Sequence, residues 1–370
     1  MAEYRKLQPD DMIETLNYHR SEANVYSRFI KYEKLDTLLL PYIAGRKEIN
    51  IYIDLTQMLA ILYRFEDIAN PLGVLASTLN LPLHYRSYCN RKKVKSNIFL
   101  VYSSNNSVNN YRFLGSYDYK HRAQKESNPN VHSVIENNIN LMSTVVQYMP
   151  GIYLRLGTVE PTVMIADLVD KFTRQGMNIP HVVITSTDYA FQLPSIMGNV
   201  LLLYKASEML DKKLVDASFS VAHSNALYAY IQKTKNKQLE GLYRDTPLNQ
   251  TWVSPFMVLA GLACRNIKAL CSYKEAIEVL KHIEANYNVI TPDALYNGLV
   301  DTSKKQVIFQ REEIHNRFYC IDLDYQLKLY REMPESLEFS FLTDLNNPQA
   351  LNDIMNQYFH RSNQVDIWKL

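Results

Sequence analysis

Glu160-Pro161-Thr162-Val163-Met164-Ile165-Ala166-Asp167-Leu168-Val169-Asp170-Lys171-Phe172, a turn, and then His181-Val182-Val183-Ile184-Thr185-Ser186-Thr187-Asp188-Tyr189-Ala190-Phe191-Gln192-Leu193 decide how this chain folds. Ile165, Leu168, Val169 and Phe172 recur at helical spacing. Pro161 suits the first turn of that helix, where no amide donor is needed. Gly176 is a natural stop for it. Val182-Val183-Ile184 is a short β-branched run, the signature of a buried parallel strand. Thr185 to Asp188 then fall at the strand's carboxyl end, where open α/β sheets place their sites.

Upstream, the same alternation repeats. Glu48 to Asp54 reads as a strand ending in a carboxylate, followed by a helix from Leu55 that Thr56 could cap. An Asp in that position is by itself a cap or a partner of the helix dipole. Pro71 to Arg91 reads as a helix, and Arg91-Lys92-Lys93-Val94-Lys95 as a basic run before a strand, Ile98 to Tyr102. Val134 to Met149 has helical spacing, broken by Pro150-Gly151, and Ile152 to Leu156 is a third strand. Val200 to Tyr204 is a further one. Strands and helices alternating from 49 to 205 predict a parallel sheet wrapped by helices. From about 207 onward the expectation is helical, with Asn225–Gln232, Val253–Leu270 and Tyr273–Tyr287 as helices and Met333 to Phe359 helical as well. The predicted organisation is an extension over 1–47, an α/β domain over 48–206 and a mostly helical region over 207–370.

Composition narrows the class. Hydrophobic residues make up 47% and charged ones 21% of 370, which suits a globular chain. The net charge of +2 says nothing of a nucleic-acid partner, so only local clusters can. Cys89, Cys264, Cys271 and Cys320 lack metal-ligand spacing; Cys264 and Cys271 read as buried thiols in a helical run, and a reducing compartment fits. The start of the chain has no apolar signal core, and no apolar stretch is long enough to span a bilayer, so a membrane partner is not expected.

The frame resembles the 5′→3′ exonuclease and flap endonuclease family, in particular its bacteriophage ribonuclease H-like branch with a PIN-like fold. Asp54 matches the family's first metal-binding Asp, and Glu160 its Glu at the helix start. Gln192-Leu193 match directly. Lys120 and Arg122, in Tyr117-Asp118-Tyr119-Lys120-His121-Arg122, match the stretch that opens the family's arch over the substrate strand. Gly241, with Leu239 and Leu242, matches its helix-three-turn-helix. The resemblance implies a nuclease fold with Asp54, Glu160 and Asp188 as remnant catalytic carboxylates, Asp188 being displaced by one residue. The other acidic positions are filled by Ser103, Thr162, Val163, Thr187, Tyr189, Thr234 and Lys237, none of which supplies negative charge at neutral pH.

In that family phosphodiester hydrolysis uses two divalent ions that clamp the attacking and leaving oxygens. Two dications about 4 Å apart repel strongly unless carboxylates surround them. The remnant set fits no metal pair, and no cofactor beyond one weakly held Mg or Mn. Three readings follow. The first is a catalytically silent nuclease fold that binds nucleic acid through Arg91, Lys92, Lys93, Lys95, Lys120, Arg122, Lys233, Lys235 and Lys237, since phosphate neutralisation needs no metal. The second is a scaffold with a phage or host protein partner, suggested by near-neutral charge and abundant Tyr. The third is a surviving metal-dependent nuclease. The resemblance also implies the cytoplasm of an infected bacterium as the working compartment.

Overall fold

The computed structural model describes residues 32–55, 71–103, 151–157, 159–185, 187–210, 213–233, 248–262, 267–302, 311–332 and 339–341, with scattered helical positions between 139 and 149. Helix α1 (Tyr32–Ile43) leads into β1 (Glu48–Asp54), and α2 (Pro71–Arg91) leads into β2 (Lys95–Ser103). Then come β3 (Ile152–Gly157), α3 (Pro161–Arg174), β4 (His181–Thr185), a 3-10 turn over Asp188–Gln192, the single-turn α4 (Leu193–Ile196) and β5 (Val200–Leu210). After β6 (Lys213–Ala222) the chain is helical: α5 (Ala226–Lys233), α6 (Val253–Ala260), α7 (Tyr273–Asn286), α8 (Pro292–Thr302), α9 (Arg311–Ile321) and α10 (Leu323–Arg331). A last strand, β7, covers Phe339–Phe341.

The sheet order is β6-β5-β4-β1-β2-β3-β7. The five inner strands are parallel, and β6 and β7 close the two edges antiparallel. From β1 the chain winds outward through β2 to β3, and from β4 it winds the other way to β5. The strand order therefore reverses between β1 and β4, and the crevice at their carboxyl ends is the expected ligand position in an open α/β sheet.

Register sorts the strand residues onto two faces. Tyr52 lies opposite Phe99 and Val183, and Val183 opposite Leu202. These belong to one apolar core shared with α3 and the C-terminal helices. Asp54, Ser103 and Thr185 are two or four residues further along the same rows, so alternation puts them on this face too. The sheet and the helical region thus bury one continuous core. Helix α10 is tied to α3 by Arg331, which pairs with Asp167 at 3.2 Å and with Asp170. Asp167 also takes Lys171 at 2.7 Å. A Cβ on Gly157 would displace the Met164 side chain of α3, which packs over this strand end.

The helix α3, its stop at Gly176 (φ +70) and the strand after it stand where the sequence puts them. Four local expectations are corrected. The helical region begins at Ala226 rather than near 207: β5 runs to Leu210 and turns into β6. That pairing covers an edge that β5 would otherwise leave open. Val253–Leu270 is not one helix, since α6 ends at Ala260. Gly261 (φ +81) turns the chain, and Leu262 bridges Ile267. Cys271 accordingly precedes α7 rather than lying inside a helix; it is half-buried, and burial pushes its thiol up to about 12. Phe339–Phe341, expected to be helical, pairs with β3 and closes that edge of the sheet.

Candidate functional site at the strand ends

At the reversal of strand order, Asp54 ends β1 and Thr185 ends β4. Asp54 is almost fully buried, and its Oδ2 accepts a hydrogen bond from Thr185 Oγ1 at 2.8 Å. The same hydroxyl oxygen accepts from the backbone N–H of Thr187 at 3.1 Å. Thr185 therefore holds the carboxylate to the neighbouring strand and orders the turn toward Asp188. Ser103, buried at the end of β2, completes the rim.

Asp188 opens the 3-10 turn after β4, and its partner comes from the far end of α5. Lys233 Nζ lies 2.7 Å from Asp188 Oδ1, with the two side chains only 16% and 23% exposed. The ammonium also sits over the rings of Phe191 at 5.6 Å and Tyr204 at 5.9 Å. An ion pair this sheltered feels less dielectric screening than a surface pair. Glu160 stands partly exposed at the N-terminus of α3, with no side-chain capping bond and Pro161 following it. Its charge is favoured there by the helix dipole.

Four neutral residues that the resemblance sets at acidic positions pack inward. Val163 and Tyr189 are fully buried in the core, and Thr162 and Thr187 are buried beside it. Gln192, whose pairing with Leu193 carries the resemblance, has a structural role. Its amide Nε2 donates to Ile321 O and its Oε1 accepts from Leu323 N, each at 3.0 Å, which joins the end of α9 to the start of α10. Asp322, between those helices, caps α10 by accepting from Tyr325 N at 2.8 Å, and burial raises its pKa. Among the described residues, no group of three or more His, Cys, Asp or Glu side chains is placed to hold a metal ion, Asp54, Glu160 and Asp188 included.

The proposed phosphate contacts divide. Lys233 is turned onto Asp188. Arg91, Lys92, Lys93 and Lys95 lie where α2 ends and β2 begins, at the amino edge of the sheet. Ser103 ends the same nine-residue strand, so the run is about 26 Å from the rim at 3.3 Å per residue. Lys120, Arg122, Lys235 and Lys237, together with Thr56, Thr234, Gly241, Cys264 and the arch and loop around them, lie outside the described residues.

A second polar cluster, which the sequence reading missed, lies below the rim on the same face. Tyr52 Oη and His181 Nδ1 share a hydrogen bond of 3.0 Å, both residues being buried. Asn97 Nδ2 donates to Asn50 Oδ1 at 2.9 Å and to Glu48 Oε1 at 2.7 Å. Burial lowers the His181 imidazole to about 4 and raises the Tyr52 phenol. The available signal was the alternation itself, since Asn50, Tyr52 and Asp54 occupy every second place of one apolar strand.

Among the described residues, no helix is long and apolar enough to cross a membrane. No protein-family model matches the sequence, nor does any curated protein. Solved structures of the catalytic core of Rad2 in complex with DNA substrate are similar at low identity. One complex has 13% identity and a TM-score of 0.43, over 89% of this chain and 95% of that one. A second has 10% identity and a TM-score of 0.42, over 89% and 93%. The fold is given by the strand order and the helices described above, not by this likeness.

Proposed function

We propose that this chain is a nuclease-fold protein that binds nucleic acid and does not hydrolyse it. The observation that carries this reading is the Lys233 ammonium on Asp188 at the strand ends. Two-ion hydrolysis needs anionic oxygens free to converge on the metals. Here one remnant carboxylate is neutralised by a cation of the chain itself, and Asp54 is held by a hydroxyl. Thr185, Thr187 and Ser103 offer uncharged oxygens, which are weak ligands for magnesium and cannot offset dication repulsion. Binding has no such requirement. Lys and Arg that neutralise phosphates gain affinity by counterion release, whatever becomes of a metal site. Arg91, Lys92, Lys93, Lys120, Arg122, Lys235 and Lys237 are the side chains we assign to that role, in the cytoplasm of an infected bacterium, Lys95 being paired with Glu48.

The test uses a labelled flap DNA and a labelled single strand. Incubation with magnesium or manganese should leave both uncut, while anisotropy should report binding that weakens steeply from 50 to 200 mM salt. Metal-dependent cleavage abolished by Asp54→Ala would overturn the silent reading. Absence of binding at low salt would overturn the nucleic-acid reading.

A further inference from the structure

We infer that nucleic acid docks on the amino edge of the sheet, opposite the strand-end crevice. This rests on the nucleic-acid reading above and gives it a surface. Arg46 and Lys47 stand in the turn before β1, and Arg91, Lys92 and Lys93 at the end of α2; all five are exposed. The two runs are adjacent, because Lys95 N–H donates to Lys47 O at 2.9 Å and Lys95 is in register with Glu48. Lys95 and Glu48 cancel one another in a 2.9 Å ion pair. An excess of five positive charges remains on two neighbouring turns.

Among the described residues, no acidic side chain beside these turns offsets that excess. The described residues leading into β3, β4 and β5 include Gly151, Gly176 to Pro180 and Met197 to Asn199, none of them acidic. At the end of α3, which reaches the same edge, Asp167 and Asp170 are already paired with Lys171, Arg174 and Arg331. Two of the five cations lie against an aromatic ring. Arg91 and Lys92 each lie 5.9 Å from the centre of the buried Tyr88 ring.

Lys93 adds a separate observation. It has φ 58, the one non-glycine residue with positive φ among those described. Its N–H donates to Asn90 O and that of Val94 to Cys89 O, each at 2.9 Å, which is a Schellman end to α2. Glycine suits that position better than any L side chain. The backbone therefore gives no reason for a lysine there, whereas a polyanion does. Phosphodiester backbone fits such a surface: its charges are closely spaced and it rewards several cations at once.

The experiment measures anisotropy of a fluorescent single-stranded oligonucleotide across a salt series, using the full chain. Wild type is compared with Arg91→Glu/Lys92→Glu/Lys93→Glu, with the milder Arg91→Gln/Lys92→Gln/Lys93→Gln, and with Lys274→Gln, which removes an exposed cation of α7. Loss of three phosphate contacts in the Gln variant should weaken binding at least tenfold and reduce the salt slope by about two, at roughly 0.7 per contact for single strands. The Glu variant should lose more, both with an unchanged circular dichroism spectrum, and Lys274→Gln should bind as wild type. Wild-type binding with unchanged affinity in both triple variants overturns the docking surface and leaves the nucleic-acid reading intact. No binding by wild type overturns both. Preference of wild type for anionic lipid vesicles over the oligonucleotide assigns the edge to a membrane surface and overturns the inference.

Discussion

Replacing Lys233 by Met removes the ammonium from Asp188 and keeps most of the apolar stem. Exposed ion pairs contribute about 0.2–1 kcal/mol. Breaking a fully buried one costs about 3–5 kcal/mol. At 16% and 23% exposure this pair is nearer the buried limit, although solvent still screens it. The Phe191 and Tyr204 rings beneath the ammonium add about 0.5–1 kcal/mol. A loss of about 2 kcal/mol is expected. In a chain of 370 residues that shifts the melting temperature by only about 3 °C, so urea unfolding is the better assay. Asp188→Asn and the double variant complete a cycle, with a coupling of about 1.5 kcal/mol. A coupling below about 0.3 kcal/mol would show that the pair does not neutralise the strand-end acid, and the reasoning would fail.

Three further outcomes follow from the same geometry. Thr185→Val keeps the shape, removes the donor to Asp54 and the acceptor for Thr187 N–H, and should cost about 2 kcal/mol in urea unfolding. Burial depresses the His181 imidazole to about 4, so the unfolded chain binds a proton near pH 6.5 that the fold refuses until about pH 4. Stability should therefore fall as pH drops through that window, by about 3 kcal/mol in all. The double variant Tyr52→Phe/His181→Phe, which replaces both hydrogen-bonding partners by apolar rings, should lose that acid dependence. Gly261→Ala should cost more than about 3 kcal/mol, because the new Cβ meets Ile267 O at 2.7 Å and Ala269 N at 2.6 Å on rigid backbone; an unchanged urea midpoint would contradict the turn.

The parallel core was legible because its signals are local. Buried β-branched runs, a Pro at a helix start and a Gly at its end each announce themselves within a few residues. The carboxyl-end position of Asp54 and Asp188 followed from that frame alone. What escaped was decided by residues far apart. Lys233 finds Asp188 across the β5–β6 hairpin, and the hairpin itself comes from pairing rather than local preference. Gln192 gave a motif match, but its contacts with Ile321 and Leu323 lie some 130 positions away and show it bracing a helix junction. The basic run from Arg91 to Lys95 is grouped by residue type with the cations of the arch and the loop, not by position. Its place before a strand, rather than after one, already assigns it to the amino edge in a parallel sheet. Arg46-Lys47 before β1 carried the same signal and was missed.

Calorimetric titration of the full chain with manganese tests the central claim most directly. With an internal ammonium on Asp188 and neutral hydroxyls around Asp54, wild type should show at most one weak binding event, and Lys233→Met should bind manganese more tightly than wild type. Two well-defined sites in wild type, filled at stoichiometric metal, would contradict it.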